Sequence, residues 1–350
     1  MKKFLTRLLL FIAVVIVINI ILNITLPIAG DERFDSRYQY LQQNIAKYNT
    51  LFFGSSRTLR HMIPARFDSL NKAHGITTHA FNLGTPANKS LESYTQYERF
   101  LNDYAKTKSK HIKYAFLEIH PLDAVVAKNV TTRKGYYWVD GRNLKFVLSY
   151  FKSKIQSRRG WLDMCDNYFF AFVLHTVGFN YLNLEKENPD TELNMGNNHD
   201  GYISLEDEIK GSKSEDRIHE LKFIREKFEA DTNSLHRRAA IATEAFSKRV
   251  KNQSAAPAVH LQRLQYLIKK SEQLGIKLSF VVQPRLSGYR EVFALEDALP
   301  ANSIIEIANP AIYPQLYALK NAYDVGHMKY SGAVIVTDIL SEKFIINHTK

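Results

Sequence analysis

Apolar and polar positions along this chain fall into blocks that alternate between two periodicities. From Leu8 to Leu26 apolar residues run almost without polar interruption. At about 1.5 Å per residue, a helix of that length just crosses a hydrocarbon core of roughly 30 Å. After Gly30 a charged tract, Asp31 to Lys47, carries Tyr38, Leu41 and Ile45 at helical spacing and predicts a stalk and first helix. Thr50 to Phe53 is a short aromatic, apolar run that stops at Gly54-Ser55-Ser56, the pattern of a buried strand delivering small polar side chains to the open end of a sheet. Pro64 opens a helix through Phe67 and Leu70 to His74-Gly75. A second strand is predicted from Thr78 to Leu83, a helix after Ser90 through Tyr94, Tyr97 and Leu101, and a third strand from Tyr114 to Ile119. Strands alternating with helices predict an α/β fold with a parallel, doubly wound sheet, in which function sits beyond the carboxyl ends of the strands.

The alternation then breaks. From Lys134 to Leu184 aromatic and basic residues dominate, among them Tyr136-Tyr137-Trp138, Tyr150-Phe151 and Tyr168-Phe169-Phe170. Helical spacing favours a core role for them, with a substrate groove and a membrane surface as the other readings. From Glu185 to Ser214 apolar residues thin out, Asn, Asp, Gly and charges dominate, and the segment reads as a mobile loop or lid boundary. Helices are predicted over 216–230, 234–251 and 258–274, then a buried strand over 277–283 that exits at Gln283-Pro284-Arg285, and a last helix over 331–346. The organisation expected is an anchor over 1–30 and an α/β domain over 31–350, with an inserted helical or lid region at about 130–255.

Lys2, Lys3 and Arg7 precede the apolar run, which leaves the N-terminus cytoplasmic and the remainder outside. Asn19 and Asn23 weaken the span slightly, and Ala29 and Gly30 raise the rival reading of a cleaved signal peptide. The length of the run and the lack of an A-x-A site favour an uncleaved single-pass anchor; either reading exports the domain. Basic residues outnumber acidic ones, giving a formal charge of +12 and a pI near 9.4. That excess suits lipid headgroups, acidic glycans or nucleic acid, or simply keeps the surface soluble. Nucleic acid is the weakest of these partners, because no zinc-ligand spacing, RNP-like sequence or basic recognition helix is present. Cys165 is the sole cysteine, so the fold rests on packing and not on disulfides.

Ser56 is the candidate nucleophile, with Ser55 beside it; the bland alternative is that both hydroxyls cap the next helix. A serine nucleophile needs a histidine to take its proton and a third group to orient that histidine. The segment Tyr323-Asp324-Val325-Gly326-His327 offers both, three residues apart in a glycine-containing loop. Arg285 is a candidate for an anionic substrate, Arg57 reads as a structural ion-pair partner, and His120 as a polar strand end. Asn129-Val130-Thr131 matches a glycosylation pattern of low specificity.

Four pieces, in order, resemble the SGNH or GDSL hydrolase superfamily, in particular its membrane-anchored branch involved in cell-surface polymer acylation. Gly54-Ser55-Ser56 resembles the nucleophile block, Asn82-Leu83-Gly84 the glycine block, Leu117-Glu118-Ile119 stands at the third block, and Asp324-x-x-His327 resembles the closing acid and base. The likeness covers the front third and last quarter of the chain. It implies a three-layer flavodoxin-like parallel sheet with a helical insertion and one N-terminal transmembrane helix. It further implies a Ser56-His327-Asp324 triad, with oxyanion donors from Ser56 and Gly84. The third block departs from the pattern: the usual asparagine is replaced by Ile119-His120-Pro121, and Asn88 in the loop after the glycine block is the substitute donor expected. The usual aspartate before the serine is Ser55. No metal or cofactor is implied. The expected partners are an acylated cell-surface polysaccharide or small ester and a membrane-embedded acyl-donor protein; a catalytically silent assembly subunit of the same fold is the alternative.

Overall fold

The computed structural model describes residues 2–25, 31–108, 110–121, 138–154, 158–176, 191–249 and 256–349. In chain order the elements are α1 (Lys2–Thr25), α2 (Glu32–Gln43), β1 (Thr50–Phe53), α3 (Ser56–His61), α4 (Pro64–Ala73), β2 (Ala80–Asn82), α5 (Ser90–Lys106) and β3 (Tyr114–Glu118). Then come α6 (Gly141–Lys154), α7 (Arg158–Thr176), α8 (Thr191–Met195), α9 (Leu205–Gly211), α10 (Glu215–Ala230), α11 (Asn233–Ser247) and α12 (Ala258–Glu272). The chain closes with β4 (Lys277–Val282), α13 (Tyr289–Ala298), β5 (Ile304–Glu306) and α14 (Tyr330–Thr349). The Ala29-Gly30 pair, the Asn129 sequon and Tyr136-Tyr137 lie outside the described residues.

The chain divides into two compact units. One comprises Ser36–Val125 and Pro189–Lys350 and holds the sheet. Its strands, all parallel, stand in the order β2-β1-β3-β4-β5. The order reverses between β1 and β3, and doubly wound sheets of the flavodoxin type bind their ligands beyond the strand ends at such a reversal. Successive strand residues face opposite sides. Phe52, Phe116, Val281 and Ile305 meet Phe67 of α4 and Val336, Leu340 and Phe344 of α14 on one face. Phe53 instead meets Tyr97 and Phe100 of α5 on the other, at ring distances of 5.1 and 5.7 Å. Truncating one such buried phenylalanine to alanine costs about 3–5 kcal/mol, so these two layers hold the strand ends firmly in place.

The other unit comprises Met1–Asp35 and Val126–Asn188. Here α6 and α7 pack together, with Val147, Tyr150, Tyr168 and Ala171 buried and Phe34 edge-on to Trp138 at 6.1 Å. The core role expected of the aromatics therefore holds for Tyr150 and Tyr168, whereas Phe169 and Phe170 are exposed. α1 is apolar on all sides and exposes Phe4, Leu9, Phe11 and Ile16. Among the described residues no helix is long and apolar enough to cross a membrane.

One expectation changes. The stretch predicted as a mobile loop, 185–214, carries α8 and α9 among its described residues and buries Tyr202, Ile203 and Leu205. Long-range backbone bonds order it: Asn82 N–H donates to Asp200 O at 2.8 Å, and Arg60 donates to Ile203 O and Ser204 O at 3.0 and 3.3 Å. α8 to α11 belong to the sheet unit, and 126–188 groups with the N-terminal segment.

Candidate active site

The nucleophile turn forms where β1 runs out. Ser55 is the N-cap of α3, its Oγ accepting the Arg57 N–H at 3.2 Å, which makes Ser56 the first helical residue. An amide at that position has no partner within the helix. Beneath the turn lies Glu118, the last residue of β3 and fully buried. Its Oε2 accepts from Ser55 N–H at 2.9 Å, Ser55 Oγ at 2.8 Å and Thr58 Oγ1 at 3.0 Å. Its Oε1 lies 2.9 Å from Arg57 Nε and 3.3 Å from His120 Nε2. Burial raises the Glu118 pKa, but His120, Arg57 and the Ser55 amide outweigh it and hold the carboxyl well below its ordinary value. Gly54 allows this approach: a Cβ there would fall 2.0 Å from Thr58 Oγ1 and 2.7 Å from Glu118 Cβ.

The acid and base sit in the loop before α14. Asp324 Oδ1 accepts the Gly326 and His327 amides at 2.6 and 2.8 Å, and Oδ2 lies 2.8 Å from His327 Nδ1. His327 Nε2 lies 2.9 Å from Ser56 Oγ. With Nδ1–H donating to the carboxylate, Nε2 is the acceptor for the serine proton. Burial raises the Asp324 pKa, and its bonds to His327 and to the loop amides bring it below the ordinary value. The loop is gripped by its carbonyls. Arg225 of α10 donates to Ala322 O and Tyr323 O at 2.8 and 2.7 Å, and Arg238 of α11 donates to Val325 O and, at 3.3 Å, to Leu316 O. His61, the last residue of α3, completes the grip: its Nδ1 donates to Gln283 Oε1 at 2.7 Å and its Nε2 accepts the Met328 N–H at 3.0 Å. Burial first, and the neighbouring His327 second, lower its pKa to about 3, which keeps it neutral.

The structure thus brings Ser56, His327 and Asp324 into one hydrogen-bonded chain. It gives other partners to the remaining sequence-derived candidates. The Gly84 N–H donates to Asn82 Oδ1 at 2.8 Å, and a Cβ on Gly84 would meet Leu59 N at 2.3 Å, so this glycine serves close packing of β2 against α3. Asn88 is buried, its amide donating to Gln96 Oε1 at 2.7 Å and lying 3.5 Å from Gly54 O. The residue before it, Ala87, has φ of 59°, uncommon for a non-glycine residue. Of the three expected oxyanion donors, the Ser56 amide is the one with no competing partner among the described residues. Arg285 follows the end of β4, is buried and donates to Ile119 O just past the end of β3, and burial first and Arg57 second lower its pKa to about 10. Arg57 makes the structural ion pair expected of it. His120 is more than a strand end: it is buried, and its Nδ1 accepts from Arg57 at 2.8 Å.

Glu118, His61, Arg225 and Arg238 are the residues that sequence reasoning passed over. Glu118 alone had a usable signal, since a carboxylate inside an apolar strand needs partners to be buried. No family model, curated protein or solved structure matches this chain.

Proposed function

We propose that the protein is an exported, membrane-anchored serine acyl-transfer enzyme of the SGNH kind, an esterase or O-acyltransferase that acts on acylated cell-surface glycan. The single observation that carries this reading is the unbroken chain from Ser56 Oγ through His327 to Asp324, with links of 2.9 and 2.8 Å. In the reaction Ser56 Oγ attacks the ester carbonyl carbon while its proton passes to His327 Nε2. Asp324 holds the tautomer and the resulting imidazolium. The tetrahedral intermediate expels the alcohol, which takes the proton from His327 and leaves an acyl-serine. An incoming hydroxyl then gives its proton to His327 and takes the acyl group, and Ser56 recovers its own. Water as acceptor gives hydrolysis; a sugar hydroxyl gives transfer. The Ser56 amide supplies oxyanion stabilisation, typically worth about 3 kcal/mol per donor.

The anchored, extracytoplasmic location rests on the basic flank and apolar run of the sequence, and the exposed apolar side chains of α1 favour a lipid partner for them. A catalytically silent subunit of the same fold is a second reading. It is favoured by the engagement of Gly84 N–H and the Asn88 amide within the protein. Labelling by a fluorophosphonate decides between them. The enzyme reading expects label on Ser56 that disappears in Ser56→Ala and His327→Ala; a folded wild-type protein that takes no label favours the silent subunit. Digestion by protease added outside spheroplasts, with the N-terminal peptide still attached in the mature protein, is expected for the anchored location; protection of the whole domain overturns it.

A further inference from the structure

Glu118 stands apart from the hydrogen-bonded triad, yet it is the most heavily committed polar side chain near it. Burying a carboxylate is unfavourable unless every lone pair is met. Three hydrogen-bond donors converge on its Oε2, Arg57 and His120 lie against its Oε1, and all of these but His120 come from the four residues Ser55 to Thr58. None of them is Ser56 itself. The neighbours of the nucleophile are therefore fixed on both sides, by Ser55 before it and by Arg57 and Thr58 after it, while its own hydroxyl is left to His327. Arg57 is in turn tied to Pro284 O at 3.2 Å and His120 Nδ1 at 2.8 Å, so the turn is braced against the ends of β3 and β4 together. Gly54 removes the side chain that would hold Glu118 away.

We infer that Glu118 is the positioning residue of the nucleophile: its ionised carboxylate, entering from β3, sets the Ser55–Thr58 turn so that Ser56 Oγ stays in hydrogen-bond reach of His327. This deepens the acyl-transfer reading and rests on it. Glutamine has the same shape but cannot meet the same demands. If its oxygen serves Ser55 and Thr58, its NH2 faces the Arg57 guanidinium, donor against donor; if it is turned, the NH2 faces the Ser55 N–H and both hydroxyls must reverse from donor to acceptor.

The test is the rate and the amplitude of fluorophosphonate labelling in wild type, Glu118→Gln and Thr58→Val, measured beside thermal unfolding. A displaced nucleophile lowers the maximal labelling rate of Glu118→Gln about a hundredfold, with the reagent's half-saturating concentration nearly unchanged. A merely structural role lowers the amplitude, the folded fraction, and leaves the rate of the folded molecules at the wild-type value; that result overturns the inference. If Glu118→Gln does not fold, Thr58→Val decides, because it keeps the carboxylate and the Arg57 pair: a several-fold slower rate at near wild-type melting temperature is expected, and a wild-type rate overturns the inference. A wild type that takes no label defeats the acyl-transfer reading instead. In that case the His327 ring resonances still decide for Glu118: they are expected to shift in the tested variant toward their position in Ser56→Ala, and unchanged resonances overturn the inference.

Discussion

The two halves of the candidate site are held by opposite means. The nucleophile turn is fixed through side chains, from below, by one buried carboxylate that belongs to the neighbouring strand. The acid–base loop is fixed through its main chain, from the side: two arginines from α10 and α11 and the imidazole of His61 take up the carbonyls and an amide around Asp324 and His327. A strand end is already rigid, so one side chain suffices to orient the turn that leaves it. A loop that precedes a helix has no such frame, and its free carbonyls need donors brought from elsewhere. α3 joins the two systems, since it carries Ser56 at its first position and His61 at its last.

The largest effects come from removing the atoms that the two halves bring together. Ser56→Ala and His327→Ala are each expected to lower acyl transfer on the order of 10⁶-fold, and the double variant little further, because both disable one step. Asp324→Asn is expected to lose roughly 10⁴-fold, since the oxyanion donor still binds the transition state. Aryl-ester hydrolysis by folded proteins measures all four. Additive losses in the double variant would mean that Ser56 and His327 do not act as a unit.

Loosening the grip on the loop is expected to cost less and to act on stability as well. Arg238→Gln leaves the carbonyls of Val325 and Leu316 without their donor, a loss of about 1–3 kcal/mol per buried group. It is also expected to lower the labelling rate of Ser56 about 10–100-fold through a displaced histidine. Arg225, whose own side chain is partly exposed and pairs with Glu229 while Arg238 is buried, is expected to matter several-fold less. Equal effects of the two substitutions would show that the loop is held as a whole and not chiefly at Val325.

How far this division could be read in the sequence follows from the range of the interactions. Ser56, Asp324 and His327 were legible because a strand end and a tight loop announce themselves locally, in Phe53-Gly54-Ser55 and Asp324-x-x-His327. Helices α4, α5, α10, α11, α12 and α14 were legible for the same reason, whereas α13, with Val292, Phe293 and Leu295 buried, was not predicted. α3 was not, because Arg57-Thr58-Leu59-Arg60-His61 looks like a solvated turn until its polar side chains find buried partners. β5 has three residues and no periodicity to detect. α8 and α9 lie in a polar tract ordered by carbonyl bonds to Arg60 and by the Asn82 amide, contacts more than a hundred residues apart in sequence. The grip of Arg225 and Arg238 on the loop has the same character: an arginine that serves a distant carbonyl has no local signature.

The smallest effect separates the two supports by pH. His61 and Glu118 both have lowered pKa values in the fold, but the shift keeps His61 neutral and Glu118 ionised. For His61 the neutral form is the folded one, and its value falls from 6.5 to about 3. The unfolded chain therefore binds the extra proton first, and the stability this histidine contributes is complete above pH 6.5 and lost as the pH falls from there toward about 3. At pH 5 the loss is on the order of 2 kcal/mol per such histidine. Buried His120, lowered to about 4, adds a loss of the same sign. Glu118 and Asp324 are held ionised, so their contribution is complete above the ordinary carboxylate values of about 4 and lost only as the pH falls through their lowered ones. Melting temperatures between pH 7 and pH 3 test this. His61→Gln is expected to flatten the decline between pH 6.5 and pH 4.5, and Glu118→Gln to leave that window as it is and flatten the decline below pH 4. If His61→Gln leaves the upper window as steep as in wild type, the imidazole is not the neutral acceptor of the Met328 amide, and the main-chain support of the loop must come from the arginines alone.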